Sequence, residues 1–332
     1  MNNTFFSNLP RSSRTAKALT AFSVGALLTL SSCGNSDSAD SPDANTTAST
    51  RPTVVVTYSV LGSIVEQLVG DTATVTTLIP DGQDPHEFEP SAKDIESLNN
   101  ANIVVSNGLD FEEGLEETLA NAKTAGVNVF MAGDHITVRE LSEEDHDHAD
   151  EATTDTTVVK EEGHDHGAFD PHLWLSPATM LEMLPELSEA VGAAIGADLS
   201  VQLETLSAEL TALDTQIQEI IGGVKCELVS GHDEMGYFAD RYGCEVIGAI
   251  IPSLSTTSEA SAGELADLKA EVEIHGVPAI FTGLGTSPAI AEQLASELGV
   301  KAVTLSTHFL DGAATYQEFM LRMTNQIAEA LG

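Results

Sequence analysis

The stretch Thr53-Val54-Val55-Val56-Thr57-Tyr58, then a helix-forming segment from Leu61 to Val69, then Thr74-Val75-Thr76-Thr77-Leu78-Ile79, decides the fold. Two β-branched runs flank a stretch with apolar residues at helical spacing. Parallel strands need a crossover between them, and a helix is the usual one, so the segment predicts a βαβ unit and a parallel sheet. The alternation continues toward the C-terminus. A helix opens at the capping-box pattern Ser91-Ala92-Lys93-Asp94, followed by a strand Ile103 to Ser106, a helix Glu112 to Ala122 and a strand Val127 to Met131.

Beyond Pro177 the pattern turns purely helical, with Thr179 to Ile195 and then Leu199 to Ile221. In the second helix Leu199, Leu203, Leu206, Leu210, Leu213, Ile217 and Ile220 keep a 3/4 spacing, and Gly222-Gly223 ends it. At ~1.5 Å per residue such a helix spans on the order of 35 Å, the width of a small domain, which suits a strut. A second alternating series follows: strands Glu227 to Val229, Glu245 to Ile250, Ala279 to Thr282 and Ala302 to Leu305. Its helices are Met235 to Tyr242, Ser261 to His275, Pro288 to Leu298 and Ala314 to Ala330. The fold class is therefore α/β with two lobes, each a mostly parallel sheet flanked by helices, joined by one long rigid helix. The expected boundaries are an N-terminal lobe over 52–196, a linker helix over 197–223 and a C-terminal lobe over 224–332, which suits a chain of 332 residues.

The first fifty residues read differently. Arg11, Arg14 and Lys17 precede an apolar run from Ala18 to Leu30, the order of a secretory signal and too short to span a membrane as a helix. The run ends in Leu30-Ser31-Ser32-Cys33, which resembles the lipobox at which bacterial lipoproteins are cut and acylated on cysteine. Residues 1–32 are then a lipoprotein signal and Cys33 a lipid anchor to the cell membrane; the alternative is an ordinary secretory signal with a chance cysteine. Either way the mature chain is extracytoplasmic. Residues 33–51 are polar and small, unable to offset their ordering entropy by burial, and read as a flexible tether.

The chain carries 13 basic and 52 acidic residues; with Arg11, Arg14 and Lys17 removed, ten bases remain, for a net charge near −42. Nucleic acid is excluded as a partner. The field would concentrate cations, although an acidic surface also serves solubility alone. Cys226 and Cys244 remain as an even pair in an oxidising compartment and are expected to be bonded. Between Gly133 and Pro171 no apolar periodicity survives. This acidic stretch, bounded as 133–169, holds His146, His148, His164 and His166 and is expected to be a long disordered loop.

In open α/β sheets ligands bind beyond the carboxyl ends of the strands. His86, in Asp84-Pro85-His86-Glu87-Phe88-Glu89-Pro90, follows the second strand, His232 follows the strand Glu227 to Val229, and His308 follows the last strand. His172, in Asp170-Pro171-His172-Leu173-Trp174, closes the long loop. Neutral imidazole is the commonest protein donor to first-row divalent metals, and four tetrahedral nitrogens suit Zn²⁺. One such histidine would say little; four at strand ends make a metal constellation. Imidazole ligation also implies that affinity falls as pH drops through about 6.5.

Asp84-Pro85-His86 with Glu89-Pro90, Asp170-Pro171-His172-Leu173-Trp174-Leu175, Gly231-His232 with Tyr237-Phe238, and Glu259 to Ser261 before a helix together resemble the ZnuA-like zinc and manganese substrate-binding proteins of ABC transporters. The match runs from about Thr53 to the C-terminus. The resemblance implies that His86, His172 and His232 hold a metal between two lobes, and that the chain delivers Zn²⁺ to a membrane permease and its ATPase without catalysing a reaction. It further implies a monomer; a metallochaperone that loads the site is left open. The fourth position departs from the many family members that carry an aspartate there. Here it is His308, which turns the choice from Mn²⁺ toward Zn²⁺, unless the register slips by three residues and Asp311 takes its place.

Around these ligands, Asp84 and Asp170 can either orient an imidazole or cap their turns, with Glu89 a weaker candidate. Trp174 and Phe88 are expected to pack around the site, and neither His135 nor His275 is assigned to metal. Gly283-Leu284-Gly285 offers no ligand where the family often has an acid. The imidazoles of the acidic loop either collect ions weakly or are simply solvated. A secreted zinc hydrolase is the competing class; it needs an open coordination position and a general base, for which only Asp233 and Glu234 qualify, and no His-Glu-x-x-His helix is present.

Overall fold

The computed structural model describes residues 51–139 and 169–332. The signal, Cys33, the tether up to residue 50 and the histidines at 146, 148, 164 and 166 lie outside the described residues. Strand β1 (Thr53–Tyr58), helix α1 (Ser59–Val69) and strand β2 (Thr74–Ile79) form the expected βαβ unit. They are followed by α2 (Ala92–Asn99), β3 (Ile103–Ser106), α3 (Glu116–Thr124) and β4 (Val129–Met131). All pairings are parallel in the order β2-β1-β3-β4, with Thr53 opposite Thr74, Val54 opposite Ile103 and Val104 opposite Val129. β1 connects to β2 on one side and β3 to β4 on the other, so the strand order reverses between β1 and β3, the position at which a crevice opens beyond the carboxyl ends of such strands.

The Ser91 capping box forms as expected, its hydroxyl accepting from Asp94 N and the Asp94 carboxylate accepting from Ser91 N. The segment after β3 departs from the expected helix Glu112 to Ala122. Gly108, Leu109 and Asp110 all take left-handed backbone (φ 75°, 57° and 58°), and only a 3-10 turn Glu113–Leu115 precedes α3. The cause is the Glu112 carboxylate, which turns into the core and accepts from Thr57 Oγ1 (2.5 Å), Asn107 N (2.8 Å) and Gly108 N (3.3 Å). This acid stitches β1 to the loop after β3. The acidic stretch also begins later than expected. Ala132–His135 form a 3-10 turn, His135 stacks on Phe130, Thr137 N donates to Glu182 and the chain stays described through Arg139.

Helix α4 (Pro177–Ile195) is capped by the Ser176 hydroxyl and carries proline in its first turn. Helix α5 (Ser200–Ile221) is the expected strut, 22 residues or roughly 33 Å at 1.5 Å per residue. The second series then runs β5 (Glu227–His232), α6 (Gly236–Tyr242), β6 (Glu245–Ile251), α7 (Ala262–His275), β7 (Ala279–Thr282), α8 (Pro288–Leu298), β8 (Lys301–Thr304) and α9 (Tyr316–Leu331). β5 pairs with β6 and β7 with β8, all parallel, and β5 packs beside β7 without a shared ladder. His232 is thus the last residue of its strand rather than the first of a loop.

Helix α9 returns to the first half of the chain. Its first amide, Tyr316 N, donates to Ser63 Oγ on α1 (2.9 Å), and Gln317 donates to Gln67 on α1 (2.8 Å) and Glu209 on α5 (2.9 Å). One continuous apolar core consequently runs from β1 through α4 and α5 to α6 and α9, while a smaller one lies among β5, β6, β7, α7 and α8. Residues Thr50–Gly332 make a single compact unit.

Cys226 and Cys244 are bonded and pin the starts of β5 and β6, the strand ends opposite to His232. Replacing both by serine is expected to lower stability by about 3 kcal/mol, since closure of a loop of this size removes unfolded-state entropy, and to leave metal affinity unchanged; denaturant unfolding and metal titration of the variant measure the two effects. Glu112→Ala strands two buried amides and is expected to cost on the order of 2 to 4 kcal/mol by the same unfolding assay.

Candidate metal centre

The four histidines singled out in the sequence come together. His86 hangs from the loop between β2 and α2, where Asp84 caps the turn by accepting from His86 N (3.0 Å). His172 precedes the 3-10 turn Leu173–Leu175, His232 ends β5, and His308 lies in the loop between β8 and α9. Every pair of rings has centroids 5.0 to 5.8 Å apart, and one nitrogen from each lies within 4.8 Å of the other three. None of the four rings is more than 3% exposed.

Hydrogen bonding determines which nitrogen His172 and His308 present. His172 Nδ1 donates to Asp170 Oδ1 (2.9 Å), which leaves Nε2 as a lone pair. His308 Nδ1 lies 2.9 Å from Thr307 Oγ1, whose hydroxyl donates to Glu234 Oε2 (2.6 Å), so Nε2 is again the open atom. The same Glu234 oxygen is 3.8 Å from His232 Nδ1, and Glu113 Oε1 is 3.4 Å from His86 Nδ1. His86 Nε2 and His308 Nε2 have no hydrogen-bond partner among the described residues although both are buried. His172 Nε2 and His232 Nε2 face each other at 3.1 Å. A tetrahedral ion with bonds of about 2.0 to 2.1 Å sets its donor atoms about 3.3 to 3.4 Å apart; the His172–His232 separation is close to this, and four buried nitrogens within 4.8 Å of one another can close on Zn²⁺ with small shifts.

Burial, followed by the neighbouring imidazoles, holds His232 and His308 well below the ordinary histidine value; burial, then His86 and Arg139, does the same for His172. Neutral rings are the ligating form. Burial pushes the Asp170 carboxyl up to about 7 against the opposing pull of the His172 amide and Arg139, and pushes Glu234 up to about 8 against the Thr307 hydrogen bond.

Of the surrounding residues weighed in the sequence, Asp170 orients an imidazole and Asp84 caps its turn. Asp311 is exposed, has a left-handed backbone (φ 51°) and lies outside the cluster, its carbonyl accepting from Arg322. Trp174 packs as expected, 5.4 Å from His172 and 5.5 Å from His308, and donates from Nε1 to Thr307 O (2.7 Å). Phe88 packs against the main core. The ring set against His86, His172 and His308 is Phe111, a residue the sequence did not single out. Glu113 and Thr307 were likewise missed, and Glu234, named as a hydrolytic base, instead serves two ligand loops. His275 lies near Glu227, 3.5 Å away and apart from the four rings.

The chain thus combines parallel α/β halves with a buried imidazole cluster at their strand ends. TroA, a periplasmic zinc binding protein from Treponema pallidum, aligns with TM-score 0.70 over 85% of this chain and 99% of its own at 23% identity. A solved ZnuA gives 0.69 over 85% and 99% at 24%, and a manganese-bound periplasmic metal binding protein from Candidatus Liberibacter asiaticus gives 0.69 over 85% and 100% at 21%. At these identities the likeness establishes the two-lobed fold. The sequence itself matches the family described as zinc-uptake complex component A, periplasmic (ZnuA), over residues 54–330, and the chain belongs to that family. It is 30% identical over 290 residues to the zinc-binding lipoprotein AdcA of Streptococcus pneumoniae, covering 84% of this chain and 52% of AdcA. It is also 30% identical over 286 residues to the high-affinity zinc uptake system protein ZnuA of Bacillus subtilis, covering 84% and 85%. The chain thus spans about half the length of the AdcA relatives it matches.

Because His172, His232 and His308 hold their protons less tightly than free imidazole, zinc affinity is expected to persist as pH falls from 7.5 to about 6.5 and to be lost only below that range, at a lower pH than the sequence alone suggests. Chelator competition at stepped pH measures it; a loss complete by pH 6.5 would contradict it.

Proposed function

We propose that this chain is the extracytoplasmic zinc receptor of an ABC importer, taking Zn²⁺ as cargo on His86, His172, His232 and His308 and passing it to a membrane permease driven by its ATPase. The observation that carries the proposal is the set of four buried imidazoles with nitrogens directed at one another. An all-nitrogen set suits Zn²⁺ better than the harder Mn²⁺, which prefers carboxylate oxygen. Four imidazoles fill a tetrahedron and leave no position for a reacting water, so the hydrolase reading loses its chemistry; membership of a zinc-uptake family points the same way.

The proposal includes the placement of the chain. Residues 1–32 direct export, Cys33 carries lipid, and 33–51 tether a monomer whose lobes span 52–196 and 224–332, with 197–223 as the linker. Among the described residues no helix is long and apolar enough to cross a membrane. The His-rich segment is proposed as a weak collector of ions for the site.

The test is zinc titration of the wild type, His308→Ala and Asp311→Ala, followed by the fluorescence of Trp174, the sole tryptophan. His308→Ala is expected to weaken zinc binding by more than the roughly 10- to 100-fold that loss of an outer-shell partner costs, with Asp311→Ala unchanged. The reverse pattern would move the fourth ligand to Asp311 and restore manganese as cargo.

A further inference from the structure

On the zinc reading above, we infer that Arg139 is a positioning residue for the metal, holding the carboxylate that orients His172 and tying it to the helix that follows His232. Arg139 sits at the edge of the site and touches no ligand imidazole in the hydrogen bonds described. Its guanidinium Nη1 donates to Asp170 Oδ2 at 3.5 Å, while the other oxygen, Oδ1, accepts a hydrogen bond from His172 Nδ1 at 2.9 Å. One carboxylate is thus shared between an imidazole and a guanidinium. The backbone fixes the same arrangement, since Asp170 N donates to Arg139 O (3.1 Å) and His172 N donates to Asp170 Oδ1 (3.0 Å).

The second limb of Arg139 reaches across to α6. Nε donates to Asp240 Oδ2 (2.9 Å), and Arg139 N donates to the Tyr237 hydroxyl (3.0 Å). Helix α6 begins at Gly236, four residues after His232, so one side chain joins the orienting group of one ligand to the support of another. Gly236 itself shows how close the approach is. A Cβ there would fall 2.4 Å from Asp170 Oδ2 and 2.6 Å from Arg139 Nη1, so only glycine lets the helix meet the ion pair.

The burial of the partners decides which limb matters. The Asp170 side chain is 1% exposed and that of Asp240 is 66% exposed. A buried carboxylate left with the imidazole alone loses its charge partner and its fixed direction, whereas the Asp240 limb in water contributes little by itself. The arginine fork can serve both acids at once; a lysine ammonium can face only one from a given position.

The experiment is zinc affinity by chelator competition on the full chain, for wild type, R139Q, R139K, H172A and the double variant R139Q/H172A, with thermal unfolding of each metal-free protein. R139Q is expected to bind roughly 10- to 100-fold more weakly, the usual cost of losing a partner that orients a ligand. R139K keeps the charge and the stem, and is expected to remain weakened by roughly tenfold. Where His172 is already absent, R139Q is expected to change affinity by less than about twofold, because the effect travels through that ring. A general loosening of the fold would instead produce the same fold-loss in both backgrounds, and that outcome overturns the inference, as does R139Q binding like wild type. Should R139Q fail to fold, R139K decides alone, wild-type affinity overturning the inference. A wild type without zinc binding overturns the zinc reading and this inference together; binding by wild type with unaltered variants overturns this inference alone.

Discussion

Four buried imidazoles crowded together can coexist only as neutral rings, and that requirement governs everything around them. Two protonated rings at centroid separations near 5 Å would repel in a medium that screens poorly. Burial disfavours the charged form of His172, His232 and His308, and the placement of the remaining proton decides which nitrogen faces inward. The carboxyls sit behind the rings for this reason. Asp170 accepts a hydrogen bond from His172 Nδ1, and Glu234 accepts one from the Thr307 hydroxyl that stands behind His308. Phe111 and Trp174 exclude solvent from the same volume.

The two halves contribute to this pocket from one continuous core. Helix α5 is packed by α4 and α9, and α9 reaches back to α1 through Ser63 and Gln67. Trp174 lies in the same arrangement. Its indole donates to Thr307 O and its carbonyl accepts from Tyr316 OH (2.7 Å), so the turn that carries His172 and the loop that carries His308 are fastened on both sides of one residue. Relative movement of the halves must break buried hydrogen bonds as well as slide apolar surface, which opposes wide opening.

Much of the scaffold was legible because its signals are local. β-branched runs at Thr53 and Thr74, the Ser91 and Ser261 capping boxes and the leucine spacing of α5 each report on a few neighbouring residues, and the elements appear within one to four residues of their expected limits. The four histidines were legible through the rule that ligands gather at carboxyl strand ends. The outer partners were not. Nothing in Leu109-Asp110 announces two consecutive left-handed residues, yet that turn delivers Phe111 and Glu113 to the rings. Glu234 beside His232 looks like a base on paper, and only burial and the Thr307 hydroxyl give it its place. Arg139 stands at the border of a polar stretch with no periodicity, where its partners at Asp170 and Asp240 are distant in sequence. Asp311, three residues from His308, is removed by a backbone turn that composition cannot show.

The ligands are spread from residue 86 to residue 308, and no two of them are neighbours along the chain. A zinc finger can seize its ion from one short segment; this pocket has no local precursor. His86, His172 and His232 can all be present and the cluster still lacks its fourth ring, because His308 arrives after the last β-strand and its loop is held down by the helix that follows. The four imidazoles therefore come together only when the whole fold, down to α9, is assembled.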